Sequence, residues 1–139
     1  MHHDAEMRAQ LAALLQADPC YSEAAYQFVR EAVSYTSQRR RSTAGSRRRH
    51  VSGGELLDGI RDLALREFGA LAMDVFDEWG IHDCQDWGNV VFNLVEHGLL
   101  TARPEDSLAD FEDGYDFAEA FIKPFVEVGD LPEDLPKIA

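Results

Sequence analysis

Arginine is the residue type whose clustering in this chain most plainly suggests chemistry. Arg39-Arg40-Arg41 and Arg47-Arg48-Arg49 flank five small or polar residues, and His50 follows directly. Guanidinium groups pair bidentately with carboxylates and phosphates, so the chemistry implied is the capture of an anion: an acidic protein, or the backbone of RNA or DNA. No aromatic residue interleaves the arginines to stack on bases, so this stretch offers no sequence-specific recognition. A linker that folds back onto the protein's own acids, or is simply solvated, is the equally weighted bland reading.

Ser52-Gly-Gly-Glu55 comes next, with the spacing of a helix capping box. A helix start can also hold an anion, which makes Ser52 a companion to the arginines, although the cap is the favoured role. Arg48-Arg-His-Val-Ser52 further offers a basic-directed phosphorylation pattern, compatible with a cap because phosphate is favoured at a helix N-terminus. His82, Cys84 and His97 are the one candidate metal cluster, but their spacing matches no structural-zinc signature. Cys84 with His97, or Ser107 with an acid, could be drawn as catalytic pairs, yet no nucleophile elbow, P-loop or glycine-rich phosphate cradle accompanies them. The expectation is a non-enzymatic protein with no catalytic residue, metal or cofactor.

Charge sharpens the reading. The 139 residues carry 13 basic and 26 acidic side chains, a net of −13. Six of the basic residues lie in the arginine stretch, leaving 7 against 26 elsewhere. The protein is an acidic body with one basic segment, which discourages non-specific attachment to nucleic acid or anionic membrane through any other surface. Two isolated cysteines, Cys20 and Cys84, fit buried or reduced thiols better than a disulfide framework, though a single bridge between them stays open. No apolar run is long enough to span a bilayer and the N-terminus lacks secretory features, so a cytoplasmic protein is expected.

The elements that must position these residues follow from apolar periodicity. Met7, Leu11, Leu14 and Leu15 mark a first helix over 5–16, with Asp4 as a cap, and Asp18-Pro19 breaks it. Ala25, Phe28, Val29, Ala32 and Val33 mark a second over 22–38, capped by Ser22 or Asp18. Residues 39–50 are expected to be an exposed, mobile linker. Beyond it, Leu56, Leu57, Ile60, Leu63, Ala64 and Phe68 form a helix ended by Gly69. Leu71, Ala72, Val75, Phe76 and Trp79 form another, ended by Gly80. Trp87, Val90, Val91, Leu94 and Val95 form a third, capped by Asp83 and stopped by Gly98. Leu99–Thr101 and Leu108–Phe111 could then pair as a hairpin around Arg103-Pro-Glu-Asp106. Phe117, Ala120, Phe121 and Phe125 suggest a short closing helix, and residues 126–139 an extended acidic tail.

Several blocks of wording carry a resemblance. Asp18-Pro-Cys-Tyr, Arg49-His-Val-Ser-Gly-Gly-Glu-Leu-Leu-Asp-Gly-Ile-Arg61, Glu78-Trp-Gly80, Asp86-Trp-Gly-Asn-Val-Val-Phe-Asn-Leu-Val-Glu96 and Tyr115-Asp-Phe-Ala-Glu-Ala-Phe121 are among them. Over about residues 18–125 the chain resembles an uncharacterised bacterial family of small proteins known mainly from planctomycetes and verrucomicrobia. The resemblance implies no activity, cofactor or catalytic residue.

The fold expected is mainly α: a winged-helix-like three-helix core over 51–125 with a short β-hairpin as wing, preceded by a two-helix N-terminal extension over 1–38. DNA binding is the obvious analogy for such a frame, but charge opposes it. Between Gly80 and Phe125 only Arg103 and Lys123 are basic against ten acids, a surface that repels phosphates. Sequence-specific DNA is therefore not an expected partner. The function expected is an interaction or adaptor protein of unknown partner, docking an anionic protein or polymer through Arg39, Arg40, Arg41, Arg47, Arg48, Arg49, His50 and Ser52. The alternative is a nucleic-acid-associated protein contacting phosphates non-specifically through the same arginines. A third reading, an enzyme or ligand-binding protein, requires a pocket near Ser52–Glu55 or His82–His97.

Overall fold

The structure, a computed structural model, describes residues 2–44, 50–112 and 114–126, with side chains described from residue 5 and not for 40–44. It is mainly helical, and no strand occurs among the described residues. The α-helices are α1 (His2–Ala17), α2 (Glu23–Ala44), α3 (Gly53–Phe68), α4 (Ala72–Trp79), α5 (Cys84–Glu96) and α6 (Phe117–Phe121). Single 3-10 turns occupy Gly69–Leu71, Leu108–Phe111 and Lys123–Phe125. No helix among the described residues is long and apolar enough to cross a membrane.

α2 is the central element. It buries Ala25, Tyr26, Phe28, Val29, Ala32 and Thr36, and packs on α3, α4 and α5. It comes so close to α3 that a Cβ on Gly59 would collide with Thr36 Oγ1. The Thr36 hydroxyl is satisfied inside that seam by donating to Ala32 O at 2.7 Å. α2 is therefore part of the core and not an N-terminal extension to it.

The helix starts follow their capping residues. Ser52 Oγ accepts from Glu55 N–H and Glu55 reaches back to Ser52 N–H, while Asp83 Oδ1 accepts from Asp86 N–H. α1 begins at His2, so Asp4 lies within the helix instead of capping it. Gly80 ends α4 at φ 84°, where a Cβ would also lie 2.6 Å from Cys20 O. Position 80 thus combines a left-handed turn with a backbone contact that excludes any side chain.

Two expectations are corrected here. Residues 39–44 continue α2 instead of opening a linker: arginine is a good helix former, and no breaker stands before Gly45. Residues 45–49, including Arg47, Arg48 and Arg49, lie outside the described residues, as does the tail over 127–139. The expected wing is not a hairpin either. Leu108–Phe111 is a 3-10 turn because Ser107 and Asp110 form a second capping box there. That turn drives Phe111 inward, where a Cβ on Gly53 would lie 3.3 Å from Phe111 Cε2 and one on Gly88 2.9 Å from Phe111 Cβ. These two glycines clear the slot that Phe111 fills. A strand at 108–111 would leave it empty.

Asp110, Glu112, Asp116 and Glu119 are exposed while Phe111, Phe117 and Phe121 between them are buried.

Candidate functional site

Of the six arginines, Arg39 is the one whose side chain is described. Its Nη1 donates to Asp62 Oδ2 at 2.6 Å and to Tyr35 OH at 3.0 Å, and the guanidinium lies 5.4 Å from the Tyr35 ring centre. These partners hold Arg39 against the outer side of the α2–α3 seam. Arg40 and Arg41 share the helical backbone of this last part of α2. Cations here suit the negative end of the helix.

His50, the first described residue after the second triplet, bridges to a distant segment. Its Nε2 lies 3.0 Å from Asp106 Oδ2 and 3.3 Å from Oδ1. Asp106 is itself fixed, because Arg103 N–H donates to its carboxylate at 2.8 Å and Asp106 N–H donates to Arg103 O at 2.9 Å. The Arg103–Asp106 turn, where the wing tip was expected, is thereby clasped to the entrance of α3. Ser52 is committed to the cap, with its Oγ 3.2 Å from Glu55 N and its N–H 3.0 Å from Glu55 Oε1. The anion at this helix start is the protein's own carboxylate, so Ser52 is not placed as an open anion site.

Between these features lies a cavity of about 370 Å³. Leu56 and Gly53 of α3, Val33 of α2, and Val91, Phe92 and Val95 of α5 form its apolar wall. His50, Thr101, Arg103, Asp106 and Asp110 also line it. Nothing in the periodicity of the sequence singled this place out. The only hint was its neighbourhood, beside Ser52–Glu55. The helix spacing marks Val91 and Val95 as core residues, and both are instead half-buried walls of an opening.

A polar seam on the opposite face of α5 also escaped the sequence reading. Tyr21 OH donates to Asp86 Oδ1 at 2.7 Å and receives a hydrogen bond from Asn89 Nδ2 at 2.9 Å. Asn93 Nδ2 donates to both Asp18 Oδ2 and Tyr26 OH. Burial, reinforced by Asp86, holds the Tyr21 phenol well above its usual range, so it stays a donor. Asp86, Asn89 and Asn93 recur at helical spacing, which was the available signal. They dock α5 onto the α1–α2 turn, so this face is covered and not offered as a recognition surface.

The other sequence candidates separate in space. Cys84 opens α5 and His97 follows its last residue, roughly 20 Å away at 1.5 Å per residue. Burial pushes the Cys84 thiol up to about 11, and its Sγ packs 3.4 Å from Tyr115 O. Cys84 is thus a protonated core residue at neutral pH. Cys20 is exposed, both cysteines are free, and Asp18 beside Cys20 raises that thiol as well. His82 is exposed and 3.6 Å from Asp77, while His97 Nδ1 sits 3.1 Å from Asn93 O. Among the described residues no three His, Cys, Asp or Glu side chains converge as metal ligands do.

Compared with known families, curated proteins and solved structures, the chain matches none.

Proposed function

We propose that this is a non-enzymatic interaction or adaptor protein, which docks an acidic protein partner through its arginine segment. The observation that carries the reading is the behaviour of Arg39. From the end of a continuous helix its guanidinium holds the carboxylate of Asp62 in a pair exposed enough to exchange for a partner's carboxylate. An arginine on a helix loses less freedom on binding than one in a linker, so α2 preorganises the first triplet for carboxylate capture. The rest of the body is acidic, which makes this end the densest positive charge on the protein. A winged-helix kinship of α3, α4 and α5 would rest on their order alone, and nothing in this function depends on it.

The competing function is non-specific contact with nucleic-acid phosphates by the same arginines. Fluorescence anisotropy with a labelled polyglutamate peptide, a short duplex DNA and a structured RNA, at about physiological ionic strength, separates the two. Polyglutamate should bind more tightly than either nucleic acid. Changing all six arginines to serine should abolish that binding. Preference for duplex or RNA would transfer the function to the competing reading, and no binding of any probe at micromolar protein would remove both.

A further inference from the structure

We infer that the cavity between α3 and α5 is a binding site for a small apolar carboxylate, held by hydrocarbon contact inside and by Arg103 at the mouth. The site is separate from the arginine segment, so this inference does not rest on the docking function proposed above.

Size and lining set the ligand class. A volume of about 370 Å³ falls in the range of small-molecule pockets, roughly 300–1,000 Å³. At ~30 Å³ per water it equals about a dozen waters, and so suits a ligand of about ten heavy atoms. The wall formed by Leu56, Val91, Phe92 and Val95 offers no polar side chain, so the ligand's body must be apolar. The polar lining residues are His50 and residues of 101–110, joined by the His50–Asp106 pair, so the ligand should carry a polar end toward that segment.

Asp106 and Asp110 also line the cavity and are held by protein donors: Asp106 by the His50 ring and the Arg103 backbone N–H, and Asp110 Oδ2 by Ser107 N–H. The lining side chain free to turn to a ligand is Arg103. Among the described residues the Arg103 guanidinium has only a loose companion, with Nη1 3.9 Å from Glu105 Oε2 and both side chains well exposed. A pair that long and wet contributes little and yields readily to a better one. A carboxylate matches the guanidinium fork in two parallel hydrogen bonds. A dianion such as phosphate would face two fixed carboxylates with only one arginine in support, so a monoanion is preferred.

An isosteric series tests this directly. Octanoate, octanol and octylamine have nearly the same body and differ in the charge of the head. Each is titrated into the full-length protein while backbone amide NMR shifts are followed. Octanoate should produce saturable shifts centred on Leu56, Val91, Val95 and Leu100, and should bind about tenfold more tightly than octylamine. Arg103→Gln should weaken octanoate about tenfold and leave octanol unchanged, while Arg103→Lys should fall between. Val95→Phe, which fills the cavity, should abolish binding of all three. The two Arg103 variants keep the test decisive should the Phe variant fail to fold. The inference is overturned if octanoate gives no saturable shifts, if octylamine binds as tightly as octanoate, or if Arg103→Gln leaves octanoate binding unchanged.

Discussion

Toward α4 and α6, the central helices α2 and α5 bury Phe28 and Trp87 in a continuous set of rings. Phe76 stands at its middle, with Trp87 at 5.2 Å, Phe121 at 5.0 Å, Phe117 at 5.8 Å, Trp79 at 6.0 Å and Phe28 at 6.4 Å between ring centres. Toward α3's entrance the same two helices offer only Val33, Val91 and Val95 beside Phe92, and the space between is open. That side is closed by a plug, Phe111, and by the His50–Asp106 clasp. The aromatic side carries the stability, since large rings bury the most area. The valine side gives up some packing and keeps room for a ligand. Local opening should therefore cost less on the cavity side than in the rings.

The largest expected effect lies at the centre of the rings. Phe76→Ala should cost about 3–5 kcal/mol of unfolding free energy by urea titration. Val95→Ala on the cavity wall should cost under ~1 kcal/mol, because its side chain already faces open space. Equal losses would show that the two sides are packed alike. Gly59→Ala tests the seam that both sides share. It should cost about 1–3 kcal/mol through overpacking against Thr36, and Thr36→Ala in the same chain should recover much of it. Additive effects of the two changes would place the crowding elsewhere.

Smaller effects are expected on the cavity side. Ser52→Ala should cost about 1 kcal/mol through loss of the cap, with no change in octanoate binding. Asp106→Asn should cost less than about 1 kcal/mol globally, yet speed hydrogen exchange at 100–106. Unchanged exchange there would mean that the clasp does not hold the turn. Asp18 gives the smallest effect and a definite sign. The backbone N–H of Cys20 is the main cause that holds its carboxyl below the ordinary carboxylate value. Its stabilisation is therefore present above the unfolded value of about 3.9 and is lost as pH falls through the lower folded value. Asp18→Asn should flatten the acid limb of the stability–pH profile. An identical limb in the variant would remove Asp18 from the account.

Sequence periodicity captured the helices well, because most of each stripe on α2, α3 and α5 is buried, with Val33, Phe68, Val91 and Val95 at the partly buried margins. It also located the caps at Ser52 and Asp83, where side-chain type alone names the role. It failed where tertiary contact decides. Leu71 fits the apolar period of α4, yet the turn at Gly69–Leu71 leaves it 63% exposed. Phe111 fits a strand as readily as a turn, and the room it needs once the turn is made comes from the absence of side chains at Gly53 and Gly88, 35 residues apart. The cavity was illegible for a related reason. A valine facing a gap and a valine facing a partner are the same letter, and the partner that is missing here lies on another helix. Of the proposed anion-binding residues, Arg39, His50 and Ser52 are placed, and they serve three different local roles.

Trp87 is fully buried and its Nε1–H meets no acceptor among the described residues, while Trp79 is half-buried beside Phe28 and Phe68. Neither indole borders the cavity. The chain therefore carries its own optical bookkeeping: an indole in so dry a setting emits toward the blue, and shifts red when the rings come apart. Intrinsic fluorescence should report global unfolding and stay silent when a ligand enters between α3 and α5, so folding and binding can be followed on one sample without a label.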